Sequence, residues 1–193
     1  MRKFSRIKIE KLIADGSELN FQSANLSGLN LRNLDLSGAN FEGAELICTN
    51  LNGSNLANTN LSEAIMEDSK LANSNLANSN LKNAYLKNAY LKNAYLKGTN
   101  MENVFMAFAN LENANLENAF MINAFMINAF MFGSQLNLAN LSGSNLENAD
   151  LANSNLIGTN FKNANLKGTR FTTLDFEGIN LEGINLNEVI YFK

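Results

Sequence analysis

The chain of 193 residues has a composition that excludes most familiar kinds of catalysis. It contains no His, Pro or Trp and a single Cys, which excludes Ser-His and Cys-His nucleophilic pairs and His-containing zinc sites. Its 15 Lys and Arg residues against 18 Asp and Glu residues give a net charge of -3, a balance that disfavours direct nucleic-acid binding.

The first predicted element is a short helix over residues 4–14. Its apolar residues Ile9, Leu12 and Ile13 fall on one face, and Gly16 follows as a stop signal. A helix in this place can cover the open end of a repeat structure. We therefore assign residues 1–18 to an N-terminal capping segment and residues 19–193 to the repeats that follow.

From Phe21 onward the sequence repeats every five residues. All 35 positions from Phe21 to Tyr191, taken in steps of five, hold Leu, Met, Phe or Tyr. The residue two positions earlier is Ala, Ser or Thr in 27 of 34 cases, and it points to the same side of an extended segment. The residue two positions later is Asn or Gly in 26 of 34 cases, and these residues favour turns with positive φ. The pattern predicts an all-β solenoid with a filled core.

Charge pairing indicates how many units form one coil. At the position after each large residue, residues twenty apart form six pairs of opposite charge and no pair of like charge. Residues fifteen apart also form six opposite pairs, but they add two like pairs. Because like charges on neighbouring strands are destabilising, four units per coil are favoured over three. The six pairs are Glu67–Lys87, Lys82–Glu102, Lys92–Glu112, Lys97–Glu117, Glu147–Lys167 and Lys162–Glu182.

The repeating unit resembles that of a known family. Residues 24–28 (ANLSG) and 144–148 (SNLEN) have the form Ala/Ser/Thr-Asn-Leu-x-Gly/Asn, and residues 19–191 are similar to pentapeptide-repeat proteins. The resemblance implies a right-handed quadrilateral β-helix with four repeats per coil. The units would then make about nine coils, and at about 4.8 Å per coil the rod would be about 42 Å long.

The C-terminal coil lacks the small inward residues of the earlier coils. Leu174, Ile179, Ile184 and Val189 stand where Ala, Ser or Thr stand elsewhere. These side chains either plug the end of the core or meet their copies in an end-to-end homodimer, and the sequence leaves both open. The candidate dimer end consists of Ile184, Val189, Ile190, Tyr191 and Phe192.

Large apolar residues also occupy outward positions around one part of the rod, more than soluble monomers normally expose. Because Tyr85, Phe105 and Phe125 lie twenty residues apart, they are predicted to stack as a ladder on one side. The alternative is a protein-docking surface, since aromatic groups between charged bands resemble the core and rim of an interface. We call this candidate surface the aromatic girdle: Phe105, Phe120, Ile122, Phe125, Ile127, Phe130 and Phe132.

These features favour a non-catalytic scaffold that binds another protein and needs no cofactor, because a filled solenoid offers no cleft for an enzyme. The resemblance implies a second candidate, since some pentapeptide-repeat proteins imitate DNA and bind gyrase, which they protect or inhibit. That role calls for an acidic rod, and here Lys82, Lys87, Lys92 and Lys97 interrupt any acidic stripe.

The same sequence gives an expectation about location. No apolar run is long enough to span a bilayer, and residues 1–13 lack the continuous apolar segment of a signal peptide. We therefore expect a cytoplasmic protein, and the family resemblance indicates a bacterial source.

Overall fold

The computed structural model describes residues 4–172 and 178–191, and most of them form one parallel ladder with a period of twenty residues. Single backbone bridges join Asn20 to Asn40, Asn40 to Asn60, and so on along four parallel columns. Twenty residues are four pentapeptides, so each coil has four sides, as the charge pairing predicted. The named elements are α1 (Arg6–Ala14), β1 (Arg170–Phe171), a 3-10 helix (Leu186–Glu188) and β2 (Ile190–Tyr191), which pairs in parallel with β1.

The core is a stack of large side chains alternating with small ones. Every fifth residue from Phe21 to Phe171 is buried, and the Ala, Ser and Thr residues two positions earlier share the interior. Most of the buried hydroxyls donate a hydrogen bond to a backbone carbonyl of the wall, so they share the interior with the apolar side chains, although Ser69 Oγ is buried without a partner. Ser74 donates to the carbonyl of Leu71 at 2.6 Å, and Thr99 donates to that of Leu96 at 2.7 Å.

A sharp turn follows each large side chain. The residue two positions after it has φ between 53° and 79° at nearly all described units, and it is usually Asn or Gly. Asn and Gly reach this left-handed region at lower cost than other residues. Phe108 and Leu138 adopt the same conformation, each with φ of 60°, although bulky residues rarely do so.

Helix α1 closes the N-terminal end of the core, and it begins two residues later than predicted. Ser5 caps it by accepting a hydrogen bond from the Lys8 amide at 3.3 Å. Ile9 is fully buried in the core cluster, with Leu12 and Ile13 packed against that cluster. Gly16, at φ of 63°, ends the helix.

Between neighbouring coils, more backbone amides donate toward the C-terminal end of the rod than toward its N-terminal end. In the regular units two amides donate to the following coil, as Leu31 does to Asn50 at 2.7 Å and Asn33 to Asn52 at 3.0 Å. One amide donates back, as Asn50 does to Leu29 at 2.9 Å. The carbonyls that accept these bonds face the N-terminal end of the rod, and in the first coil they point toward α1 rather than toward another coil.

Arg6 of α1 satisfies two of these carbonyls. Its Nη1 donates to the carbonyl of Asn30 at 2.9 Å and to that of Arg32 at 3.3 Å. Its Nε donates to Glu10 Oε1 at 2.8 Å, which holds the guanidinium in place. Helix α1 thus covers both the apolar core and part of the open β edge, which a solenoid must protect.

The last coil departs from the repeat. The prediction that every fifth side chain points inward is wrong at Leu186, which is 38% exposed and begins the 3-10 helix. Within residues 178–191 nothing packs fully over this position, and the bulky Ile184 replaces the small residue that the repeat places before it. Phe176, another predicted core residue, lies outside the described residues, as does Leu174.

Candidate functional site

The aromatic girdle divides into a stacked part and an exposed part. The rings of Tyr85 and Phe105 lie 4.8 Å apart and 7° from parallel, and those of Phe105 and Phe125 lie 4.8 Å apart and 10° from parallel. All three side chains are half-buried. The predicted ladder is confirmed, and the parallel backbone register that spaces the coils also sets its spacing.

The other aromatic members of the girdle lie away from this ladder. Phe120 is 53% exposed, Phe130 is 55% exposed and Phe132 is 41% exposed. Phe120 lies between Asn100 and Asn140 in its column, so no ring of its own column can cover it. The two remaining members, Ile122 and Ile127, are half-buried. Stacking therefore accounts for Phe105 and Phe125 and leaves three phenyl rings in contact with solvent.

The sequence pattern missed two exposed residues of the same region. Leu138 is 60% exposed and Ile157 is 45% exposed, and the Leu138 amide donates to the Ile157 carbonyl at 2.9 Å in the next coil. A signal was present, because Leu138 occupies a turn position that Asn or Gly normally fills. Phe108, 50% exposed, occupies a turn position of the same kind.

A belt of ion pairs lies on the N-terminal side of the girdle. Five of the six predicted pairs form, with nitrogen to oxygen distances from 2.9 to 3.2 Å. Four of them make up the belt, and the fifth, Lys162–Glu182, lies on the C-terminal side of the girdle. The exception is Glu147, whose Oε2 accepts from Asn165 Nδ2 at 3.5 Å, with no ion pair to Lys167. The hydrogen bond from Lys97 to Glu117, and then the negative charge of Glu117, raise the pKa of Lys97. The positive charges of Lys82, Lys87, Lys92 and Lys97 are therefore largely neutralised by neighbouring glutamates.

The candidate dimer end is only partly exposed. Ile184 and Val189 are half-buried and pack against the core cluster, whereas Ile190 is 44% exposed. Tyr191 contributes its backbone to β2, and Phe192 lies outside the described residues. The end thus combines a partial plug with exposed apolar side chains.

Two shallow clefts on the rod are lined by side chains that form no Ser-His or Cys-His pair. One lies between α1 and the first coil and is lined by Ile13, Leu19 and Asp35 among others. The other lies along one corner and includes Ile122, Asn123 and Lys162.

Within residues 4–172 and 178–191, no group of three or more Cys, Asp or Glu residues is placed to hold a metal ion. The helices described are all too short or too polar to cross a membrane.

Among solved structures, the chain is similar to HetL, a pentapeptide repeat protein involved in heterocyst differentiation regulation from the cyanobacterium Nostoc sp. strain PCC 7120. The identity is 24% and the TM-score 0.59, over 97% of this chain and 95% of HetL. It is also similar to trypsin-treated QnrB1, a plasmid-mediated fluoroquinolone resistance protein, with 21% identity and a TM-score of 0.71 over 90% of this chain and 86% of QnrB1. At these identities the likeness shows the fold alone.

Two sequence comparisons gave different results. A search of curated proteins found no match. The family described as pentapeptide repeats matches with 8 copies over residues 17–47, 35–71, 64–103, 109–148 and 134–172. These stretches cover most of the ladder described above, and the chain therefore belongs to the pentapeptide-repeat family.

Proposed function

We propose that this protein is a non-catalytic, cytoplasmic scaffold that binds another protein through the exposed part of the aromatic girdle. The rod is a right-handed β-helix of about nine coils, and its C-terminal end offers a second surface at which two copies could meet. The observation that carries the proposal is the exposure of Phe120, Phe130 and Phe132, each more than two-fifths accessible.

The surroundings of these rings support an interface. The belt of ion pairs borders the girdle on one side, and Lys162 with Glu182 forms another pair beyond it. Interfaces often combine an aromatic centre with a polar rim. Because the side chains are carried by a rigid wall of stacked coils, a partner would meet them already in place, which lowers the entropic cost of binding.

Replacing Phe120 and Phe132 together by Ser should abolish partner binding and leave the fold intact, because neither ring belongs to the ladder. The tagged protein is incubated with extract of its native host, and bound proteins are quantified by mass spectrometry. We expect the specific partners to fall at least tenfold. Light scattering on the same samples reports whether the girdle also joins two copies of the chain.

The matched control replaces Ile65 and Tyr95 by Ser. These side chains are 39% and 41% exposed and lie outside the girdle, so the loss of apolar area is similar. Partners that disappear equally from both variants, or from neither, would contradict binding through the girdle.

The second candidate is a gyrase-binding mimic of DNA, favoured only by the structural likeness to QnrB1. The belt of ion pairs opposes it, since Lys82, Lys87 and Lys97 neutralise glutamates around the rod where a DNA mimic needs negative charge. We expect the protein to leave gyrase supercoiling unchanged, with or without a fluoroquinolone. Inhibition of gyrase, or its protection from the drug, would establish this second function instead.

A further inference from the structure

On the side of the rod next to the ladder, two aromatic residues lie two coils apart in one column, as Tyr85 and Phe125 do in the ladder. The residue between them is Asn110 instead of an aromatic residue. Backbone bridges join Tyr90 to Asn110 and Asn110 to Phe130, each step advancing one coil. In the ladder the corresponding middle residue is Phe105. Because each coil advances about 4.8 Å, Tyr90 and Phe130 stand about 10 Å apart along the rod. Asn110 therefore occupies an open rung between two aromatic residues.

The exposure of the two outer residues agrees with an unfilled position. Tyr90 is 40% exposed and Phe130 is 55% exposed, whereas the three ladder residues are half-buried. In the part of the chain that the structure describes, neither Tyr90 nor Phe130 stacks on another ring. Both thus keep apolar ring surface in water that stacking would cover.

Phe108 adds a third exposed ring beside the same Asn110. It lies at the adjacent corner and is 50% exposed, with φ of 60°. The residues one coil before and one coil after it are Asn88 and Asn128, which adopt this conformation at less cost. A bulky residue that keeps a strained backbone while leaving its ring in water is a feature of functional surfaces rather than of packing.

We propose that the open rung receives an aromatic side chain of a partner polypeptide, stacked between Tyr90 and Phe130 with Phe108 at its edge. The proposal deepens the proposed function and depends on it, since it names the chemistry by which a partner is held. A ring halfway between the outer rings would lie about 4.8 Å from each, the spacing observed in the ladder. The Asn110 amide is shorter than a phenyl ring, which leaves the outer part of the rung free.

The local charge favours a neutral ring over a cation. Two aromatic faces would also attract an ammonium or guanidinium group. Here the Lys92 ammonium already lies at the next corner, 2.9 Å from Glu112, so the nearby carboxylate has its counter-ion. Because this ion pair is already neutral, a second cation would gain no free carboxylate from it, whereas an aromatic side chain needs none.

The test uses a nine-residue peptide with a central Trp flanked by Gly and Ser, and two peptides that carry Leu or Arg at the centre. Binding is followed by NMR of the aromatic rings of the full-length protein. We expect saturable shifts of the Tyr90 and Phe130 rings with the Trp peptide, and affinity at least tenfold lower for the other two peptides.

Asn110→Phe fills the rung from within the chain, so we expect it to weaken binding of the Trp peptide at least tenfold and to raise the melting temperature. The matched control is Asn115→Phe on the next side, where Tyr95 and Gln135 flank the position and only one ring is present. This control should leave peptide binding unchanged. Phe130→Asn removes one wall of the rung, restores the commonest residue of that register, and should also abolish binding.

Three results would overturn the proposal: unchanged Trp-peptide binding in Asn110→Phe or Phe130→Asn, equal affinity for the Arg peptide, or shifts of the same size at Phe120. The experiments distinguish failure of the open-rung proposal from failure of the proposed scaffold function. The variant with Ser at positions 120 and 132 tests partner capture without changing Tyr90, Asn110 or Phe130.

Discussion

Replacing Ile9 by Asp is expected to lower the free energy of unfolding by about 3–5 kcal/mol and to cause self-association. Ile9 is fully buried in the core cluster beneath α1, so the new carboxylate would be buried without a partner or would force the helix away. If the helix leaves, the first coil exposes Phe21 and its edge carbonyls to solvent and to other copies. Urea unfolding followed by circular dichroism, together with light scattering, measures both effects.

Ile7→Asp is the matched control for this experiment. It makes the same chemical change on the same helix, but Ile7 is 79% exposed, so we expect a change within about 0.5 kcal/mol. Equal unfolding midpoints for the two variants would mean that α1 does not stabilise the end of the solenoid.

Leu116→Ala is expected to lower the free energy of unfolding by about 2–5 kcal/mol. The Leu116 side chain is fully buried within the stack, and its removal loses apolar burial and leaves a cavity that neighbouring coils cannot close. Because repeat arrays can unfold in parts, the midpoint and the steepness of the urea transition should both be compared with the wild type.

Leu138→Ala provides the comparison for this second experiment. The residue type and the change are the same, but Leu138 is 60% exposed at a turn. We expect a shift within about 0.5 kcal/mol. If the exposed leucine proved as important to stability as Leu116, the division between inward and outward positions would be incorrect.

The fold was largely predictable because one local rule applies at every unit. A large residue every fifth position, a small one two places before it and a turn residue two places after it define the wall wherever a neighbouring coil lies on both sides. The rule fails at Leu186, which is left exposed at the start of the 3-10 helix among the described residues. The N-terminal helix was predictable from its apolar face and from Gly16.

The candidate site was less predictable, since exposure depends on neighbours one coil away. Phe125 and Phe130 occupy the same position in consecutive repeats, yet Phe125 is half-buried on Phe105 while Phe130, one coil beyond Asn110, is exposed. The pattern also could not predict that Glu147 would interact with Asn165 rather than with Lys167. Long side chains on a surface choose among several partners of similar energy.

Because more amides between coils donate toward the C-terminal end than toward the N-terminal end, the two ends of the rod differ in their free hydrogen-bonding groups. Its N-terminal rim is rich in acceptors, which suits the guanidinium of Arg6, an exclusive donor. The opposite rim, around Leu181 and Gly183, is correspondingly rich in donors. Two copies that met through this rim would oppose donor to donor, so apolar contacts such as those of Leu186 and Ile190 would have to hold them. Extension of the sheet itself from one molecule to the next is compatible only with a head-to-tail arrangement, the geometry that builds filaments rather than closed pairs. Helix α1 obstructs that arrangement, because it covers part of the N-terminal rim.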